Sequence, residues 1–346
     1  MVVFYFLIIV LVLCGVKVAN KGMFFEDYMG KIQCNAIKGI FILVVFMRHA
    51  VPYVVKAGYE MPTFLDKSFS LIDAQIGQLL VVMFLFYSGF GVMASINKKG
   101  GNYINDIPKK RILTTFINFD VAVGLFLLMD FALGIEVDAE QYFLARFGWD
   151  SVGNSNWYIF VILLLYTLTY FSFKLNRGAK GERNIVIMSV LTVAILFMVK
   201  SFWWYNTLLS YPAGMFFFIY KERIENVIRN KYTTILLGLF FLLSIIHIVN
   251  IKMSSIIYAY SYNFESIIFA LLIVTLTMKV KIGNKILLWL GINLFPLYIY
   301  QRIPMILMRE SMGNEWLADN PYLFCIISLL GMILITYLYK YWKISL

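Results

Sequence analysis

Lys38-Gly-Ile-Phe-Ile-Leu-Val-Val-Phe-Met-Arg-His49 decides how this chain is read. It is an apolar run closed by a lysine at one end and by Arg48-His49 at the other. It also holds one of only two histidines in 346 residues. On an α-helix, eleven steps make about three turns plus ~20°, so Lys38 and His49 share a face, about 16 Å apart along the axis. A straight helix therefore keeps the two side chains out of contact. Titratable groups within a membrane helix are costly and usually serve a function.

Outward from this stretch, the chain is 61% hydrophobic, 18% aromatic and 14% charged, against about 45–50% apolar in soluble domains. That composition excludes a soluble enzyme and predicts an all-α polytopic membrane helix bundle in the cell membrane. At about 20 residues per span, the length allows roughly ten to twelve helices. The net charge of +11 has a membrane explanation, because basic residues gather in cytoplasmic loops and meet anionic lipid. The expected partner is the lipid bilayer, with no nucleic acid. Cys14, Cys34 and Cys325 are scattered and give neither a disulfide framework nor metal-ligand spacing. No phosphate loop, zinc motif or serine-hydrolase elbow occurs, so no metal is expected.

Eleven spans are expected. Residues 1–20 form an additional N-terminal helix, with Lys17 and Lys21 after the apolar run, unlike a signal peptide. The next spans are expected near residues 38–55, 70–96, 112–134, 157–174 and 184–199. The rest fall near 207–220, 232–247, 264–278, 286–303 and 321–339. The loops and flanks predicted to face the cytoplasm hold 22 of the 30 Lys and Arg, including Lys98–Lys99, Lys109–Arg111 and Arg177; the other side holds eight. This bias puts the C-terminus in the cytoplasm.

Several residues carry a chemical and a structural reading together. His49 can take a proton from a hydroxyl or attack an acyl group, or it can sit at an interface. Lys98, Lys109, Lys110 and Arg111 suit phosphate recognition, or simply orient the helices. Ser88 beside Gly89 allows close helix packing, or lines a substrate path with Arg48 and Arg302. Asp120 and Asp130 are expected to pair inside the bundle, with Lys38 or Arg302 as candidates. His247 and Glu265 fit the lining of an outer mouth and ordinary interfacial positions equally well, and Trp203-Trp204 reads first as a membrane belt.

The stretch from Lys38 to His49 resembles the first core helix of the acyltransferase family 3 membrane proteins, which have Arg or Lys, ten residues, then His. Phe84-Leu-Phe-Tyr-Ser-Gly-Phe90 resembles a second element of that family. Weaker likenesses follow in order at Lys109–Arg111, Trp157-Tyr158, Tyr211–Met215 and Leu288–Tyr300. The sequence departs from the family's common pattern at Asn35, Arg48 and Gln301. The resemblance implies a ten-helix core over residues 31–346 that moves an acyl group, usually acetyl, from cytoplasmic acyl-CoA. The acceptor is a hydroxyl of a sugar or polysaccharide at the cell surface. It implies His49 as the catalytic histidine with Lys38 as its basic partner, and acetyl-CoA as a donor substrate, with no tightly bound cofactor. The rival readings are a transporter or exporter of a glycan or organic anion, and a non-catalytic subunit of a polysaccharide assembly.

Overall fold

An apolar segment in lipid must satisfy its own backbone, and a helix does so within one segment. The computed structural model is accordingly built from helices. It describes every residue except Arg177, Lys252 and Ser254, and every side chain among these except Asp73 and Ala74. The expectation for Arg177 therefore lies outside the described residues.

The first helices are α1 (Val2–Leu13), α2 (Lys31–Lys56), α3 (Phe64–Ile76), α4 (Leu79–Lys99), α5 (Gly101–Ile107) and α6 (Thr114–Ala132). Then come α7 (Ala139–Arg146), α8 (Trp157–Leu175), α9 (Ala179–Val199), α10 (Ser210–Ile219), α11 (Lys221–Asn230) and α12 (Tyr232–Asn250). The last are α13 (Ile256–Thr277), α14 (Lys285–Ile292), α15 (Leu294–Tyr300), α16 (Arg302–Asp319) and α17 (Pro321–Leu338). Among the described residues, eight helices are long and apolar enough to cross a membrane, or nine if a bent pair counts as one span.

Each expected span has an apolar helix at its place, but several differ in form. α1 has 12 residues and α10 has 10. At 1.5 Å per residue they reach about 18 and 15 Å, short of a hydrocarbon core of about 30 Å. The expected third span is divided, because Gly77 takes φ +46° between α3 and α4. That left-handed conformation suits glycine and ends a helix. The expected tenth span breaks at Asn293 and turns through 71°. Pro296 has no N–H to give the Ile292 carbonyl, so a continuous helix would lose that bond.

The basic segment expected as a loop is mostly helical. Residues 101–132 run as one helix, with a π-helical turn at Pro108–Leu113. Val16–Val18 (β1) pairs antiparallel with Val280–Ile282 (β2), an element the apolar pattern does not reveal. On the same side Arg229 binds Glu26 through two bonds of 2.9 and 2.8 Å. Tyr28 donates to Glu225 over 2.7 Å. Burial first, then that bond to a carboxylate, raises the Tyr28 phenol above its ordinary range.

Glycine contacts fix the core. A Cβ at Gly39 would lie 1.9 Å from the Leu287 carbonyl oxygen, and one at Gly291 would lie 1.7 Å from that of Asn35. These close α2 onto α14 in antiparallel fashion. A Cβ at Gly89 would lie 2.0 Å from the Tyr211 oxygen, and one at Gly214 would lie 2.0 Å from that of Phe86. These close α4 onto α10. Lipid tails are as apolar as leucine, so helices in a bilayer associate through such close packing and polar pairs.

Gly89→Ala and Gly291→Ala are each expected to destabilise the protein by about 1–3 kcal/mol, as overpacking does. Gly124→Ala, where nothing lies within 4 Å of the added Cβ, is the control and should hold or raise Tm. Thermal unfolding in one detergent compares the three. Equal Tm values would show that the two glycine contacts do not hold the bundle.

Candidate functional site

His49 lies in the last third of α2, beyond the glycine contact with α14. Pro52 follows in the same helix and cannot donate to the Arg48 carbonyl, which removes one rung of the helical ladder there. The bend after α14 brings α15 and α16 back across α2. Gln301 and Arg302, at that junction, become polar neighbours of His49 together with Arg48. His49 Nδ1 and Gln301 Oε1 are both buried with no aligned hydrogen-bond partner among the described residues.

Two cavities meet at Arg48 and His49. The larger, about 980 Å³, lies among the ends of α2, α4, α9, α12 and α13. Aromatic rings dominate its wall: Trp157, Phe202, Trp203, Tyr205, Tyr258, Tyr262 and Tyr298. Gln75, Gln78, Asn250 and Ser201 interrupt them with hydrogen-bonding groups. Gly77, the break between α3 and α4, forms part of the rim. Its volume sits at the upper end of ordinary ligand pockets, which run to about 1,000 Å³. The smaller cavity, about 700 Å³, is lined by Pro52, Tyr53, Lys56, Arg302, Arg309, Glu310, Gly313 and Asn314 in addition to Arg48 and His49. Gly313 has φ +79°, a kink inside α16 that only glycine adopts without strain.

Both histidines of the chain line the larger cavity. His247 Nδ1 lies 2.6 Å from Glu265 Oε1, and its Nε2 lies 3.2 Å from Gln75 Oε1. The Glu265 carboxylate is fully buried and also accepts from Asn250 Nδ2 over 2.6 Å. Glu265 thus fixes the ring of His247 and leaves Nε2 toward the cavity. The cluster has a structural effect as well. The one buried residue of α12 is Asn250, so this cluster ties the end of α12 to α13 through buried polar groups.

The sequence-predicted residues separate into two groups. Arg48 and His49 line both cavities, and Arg302 joins them at the smaller one. Lys38, Lys98, Lys109, Lys110 and Arg111 do not line either one. Lys38 is half-buried one turn after Cys34, its nearest titratable neighbour. Lys98 and Lys109 are exposed, and Lys110 is exposed while holding Asp106 at 2.7 Å. Arg111 turns inward, donating to the Tyr103 hydroxyl over 3.1 Å and lying 5.9 Å from the Tyr166 ring centre.

Ser88, expected on the substrate path with His49, is the departure. Its hydroxyl lies 3.0 Å from that of Tyr166, and it lines neither cavity. About two turns of α4 separate it from Leu80 and Val81, which line the larger cavity as His49 does. Ser88 instead belongs with Arg111 in a network of Tyr103, Tyr166, Tyr211 and Thr169. Asp120 forms an ion pair as expected, but its partner is Arg146, at 2.7 and 2.9 Å, and not Lys38 or Arg302. Trp204 is buried against Trp149 and Lys200, whereas Trp203 faces the larger cavity.

A family model described as an acyltransferase domain matches residues 32–340. No curated protein and no solved structure gives a significant match.

His247→Leu is expected to lower stability by about 1–3 kcal/mol, the usual cost of leaving a buried polar group without its hydrogen-bond partner. His247→Leu combined with Glu265→Met removes both partners and should recover much of that loss. Thermal unfolding of the single and double variants gives the coupling. Additive effects would mean that the pair does not hold α12.

Proposed function

The chain belongs to acyltransferase family 3, and from that premise we propose that this membrane acyltransferase is an O-acetyltransferase. It takes acetyl from acetyl-CoA on the basic side and places it on a hydroxyl of a cell-surface sugar or polysaccharide. The observation that carries this reading is the position of His49 in the wall shared by two cavities.

The larger cavity suits a sugar. Its aromatic faces offer stacking surfaces, and its amides and hydroxyls offer hydrogen bonds at fixed points. The imidazole of His49 accepts the proton of the acceptor hydroxyl as that oxygen attacks the thioester carbonyl. The C–S bond then breaks, and the CoA thiolate takes the proton from the imidazole as it leaves. Arg48 and Arg302 are the cations beside His49, where they stabilise the negative charge on the carbonyl oxygen in the transition state.

Lys38 acts at a different part of the donor. It is about 16 Å from His49 along α2, a length for the extended arm of acyl-CoA to cover. Lys98, Lys109 and Lys110 present exposed ammonium groups to the nucleotide phosphates, and Arg111 stands behind them. The π-helical turn supports this assignment, because such turns occur often at functional sites.

His49→Ala should lower kcat/KM for acyl transfer by about 10²–10⁴-fold, the usual contribution of a general base. Acetylated glycan is read by mass, with folding checked by gel filtration and Tm. Full activity in a folded variant would remove His49 from the reaction. Lys109→Glu should raise KM for acyl-CoA while kcat holds. An unchanged KM would take the exposed lysines out of donor binding.

A further inference from the structure

Eight Lys and Arg fall outside the basic loops and flanks. Four of them, Arg48, Lys56, Arg302 and Arg309, line the smaller cavity. Cations are disfavoured on that side by the bias that orients membrane helices, so this convergence needs a cause. Two of the others have one elsewhere: Arg146 holds Asp120, and Lys200 stacks on Trp149 and Trp204. Among the described residues the cavity wall has a single carboxylate, Glu310, and Arg309 binds it. Arg302 keeps a buried Nε without a hydrogen-bond partner among the described residues, while its NH2 group reaches the Tyr53 hydroxyl at 3.4 Å. Arg48 aside, Lys56 and Arg302 bring positive charge and donors to these walls with no ion-pair partner among the described residues.

We propose that this cavity binds an oxyanion, a phosphate or a carboxylate, carried by the acyl acceptor itself. This rests on the acyltransferase reading of His49 and narrows it to acidic or phosphorylated glycans. The two cavities share Arg48 and His49. An acceptor with its sugar among the aromatic rings and its charge against Arg302 and Lys56 passes directly by the imidazole. Guanidinium groups suit the task, since their planar forks match carboxylate and phosphate oxygens in pairs. The anion then fixes the register of the sugar, and so selects the hydroxyl that meets His49.

The test uses the full chain in nanodiscs of neutral phosphatidylcholine, with three matched acceptors: a neutral sugar, its uronic acid and its phosphate. Wild type should favour one or both charged acceptors by at least about tenfold in kcat/KM. Arg302→Gln and Lys56→Gln should each reduce that preference several-fold, and added salt should reduce it too. A second readout needs no turnover. Direct binding of the sugar phosphate should exceed that of the neutral sugar and weaken in Arg302→Gln.

Equal use of the three acceptors, or a preference that both variants leave intact, overturns the proposal. Adding phosphatidylglycerol to the nanodiscs separates a second source of the same chemistry. Binding or turnover that depends on this lipid and not on acceptor charge assigns the cavity to a headgroup and also overturns the proposal. No turnover with any acceptor, alongside charge-dependent binding that Arg302→Gln abolishes, defeats the acyltransfer assignment and leaves the anion site standing.

Discussion

Backbone-to-backbone contact at four glycines is the constraint on which the rest of the structure depends. Gly39 and Gly291 let α2 and α14 touch at their carbonyls, and Gly89 and Gly214 do the same for α4 and α10. With α14 held this close, the turn at Asn293 delivers Gln301 and Arg302 to His49. With α4 held by α10, its first turns reach the larger cavity while Ser88 stays with Tyr166. Neither arrangement would survive a larger residue at these positions without a shift of a whole helix. The glycines of the four sequence elements thus act in pairs from different elements.

The second organising fact is the difference between the two cavities that His49 separates. One is aromatic and interrupted by amides; the other is cationic. A group placed between them meets apolar faces on one side and positive charge on the other. Under the proposed function, that contrast suits a molecule with a sugar at one end and a negative charge nearby. The basic network of Arg111 and its tyrosines lies at a separate level, around the π-helical turn. Donor and acceptor chemistry are in this reading divided along α2, with Lys38 and His49 marking the two levels.

Much of this could be read in advance. Apolar runs located a helix for each expected span, since backbone satisfaction in lipid leaves few alternatives. The Lys38–His49 spacing pointed to one helical face, and His49 lies in the wall of both cavities while Lys38 lies in neither. Breaks inside apolar runs were less legible. A helix that is apolar all round has no periodicity to interrupt, so Asn293 gave little warning, whereas Asp73, Gln75 and Gln78 around Gly77 did mark a polar interruption. The cavities were hidden for another reason: their walls come from helices far apart in sequence. Tyr53, Arg309, Asn250 and Tyr262 carry no mark of their shared surroundings. One signal was available, namely the few cations outside the basic loops, whose charge went against the orienting bias. His247 was visible as a rare residue, but its buried carboxylate partner at Glu265 could be found only from the packing.

The contact between α2 and α14 joins Gly39 to Leu287 and Asn35 to Gly291, and the ribbon joins Val16 to Ile282. In each case roughly 250 or more residues of synthesis separate the partners. At about 5–20 residues per second, the helix that carries Lys38 and His49 waits on the order of tens of seconds for its closest neighbour. During that interval its small-residue face and its two costly side chains are uncovered in the bilayer. Maturation of the centre is therefore a late event in biogenesis, completed by the C-terminal third of the chain. The helix at the heart of the site is among the first to enter the membrane and among the last to find its place.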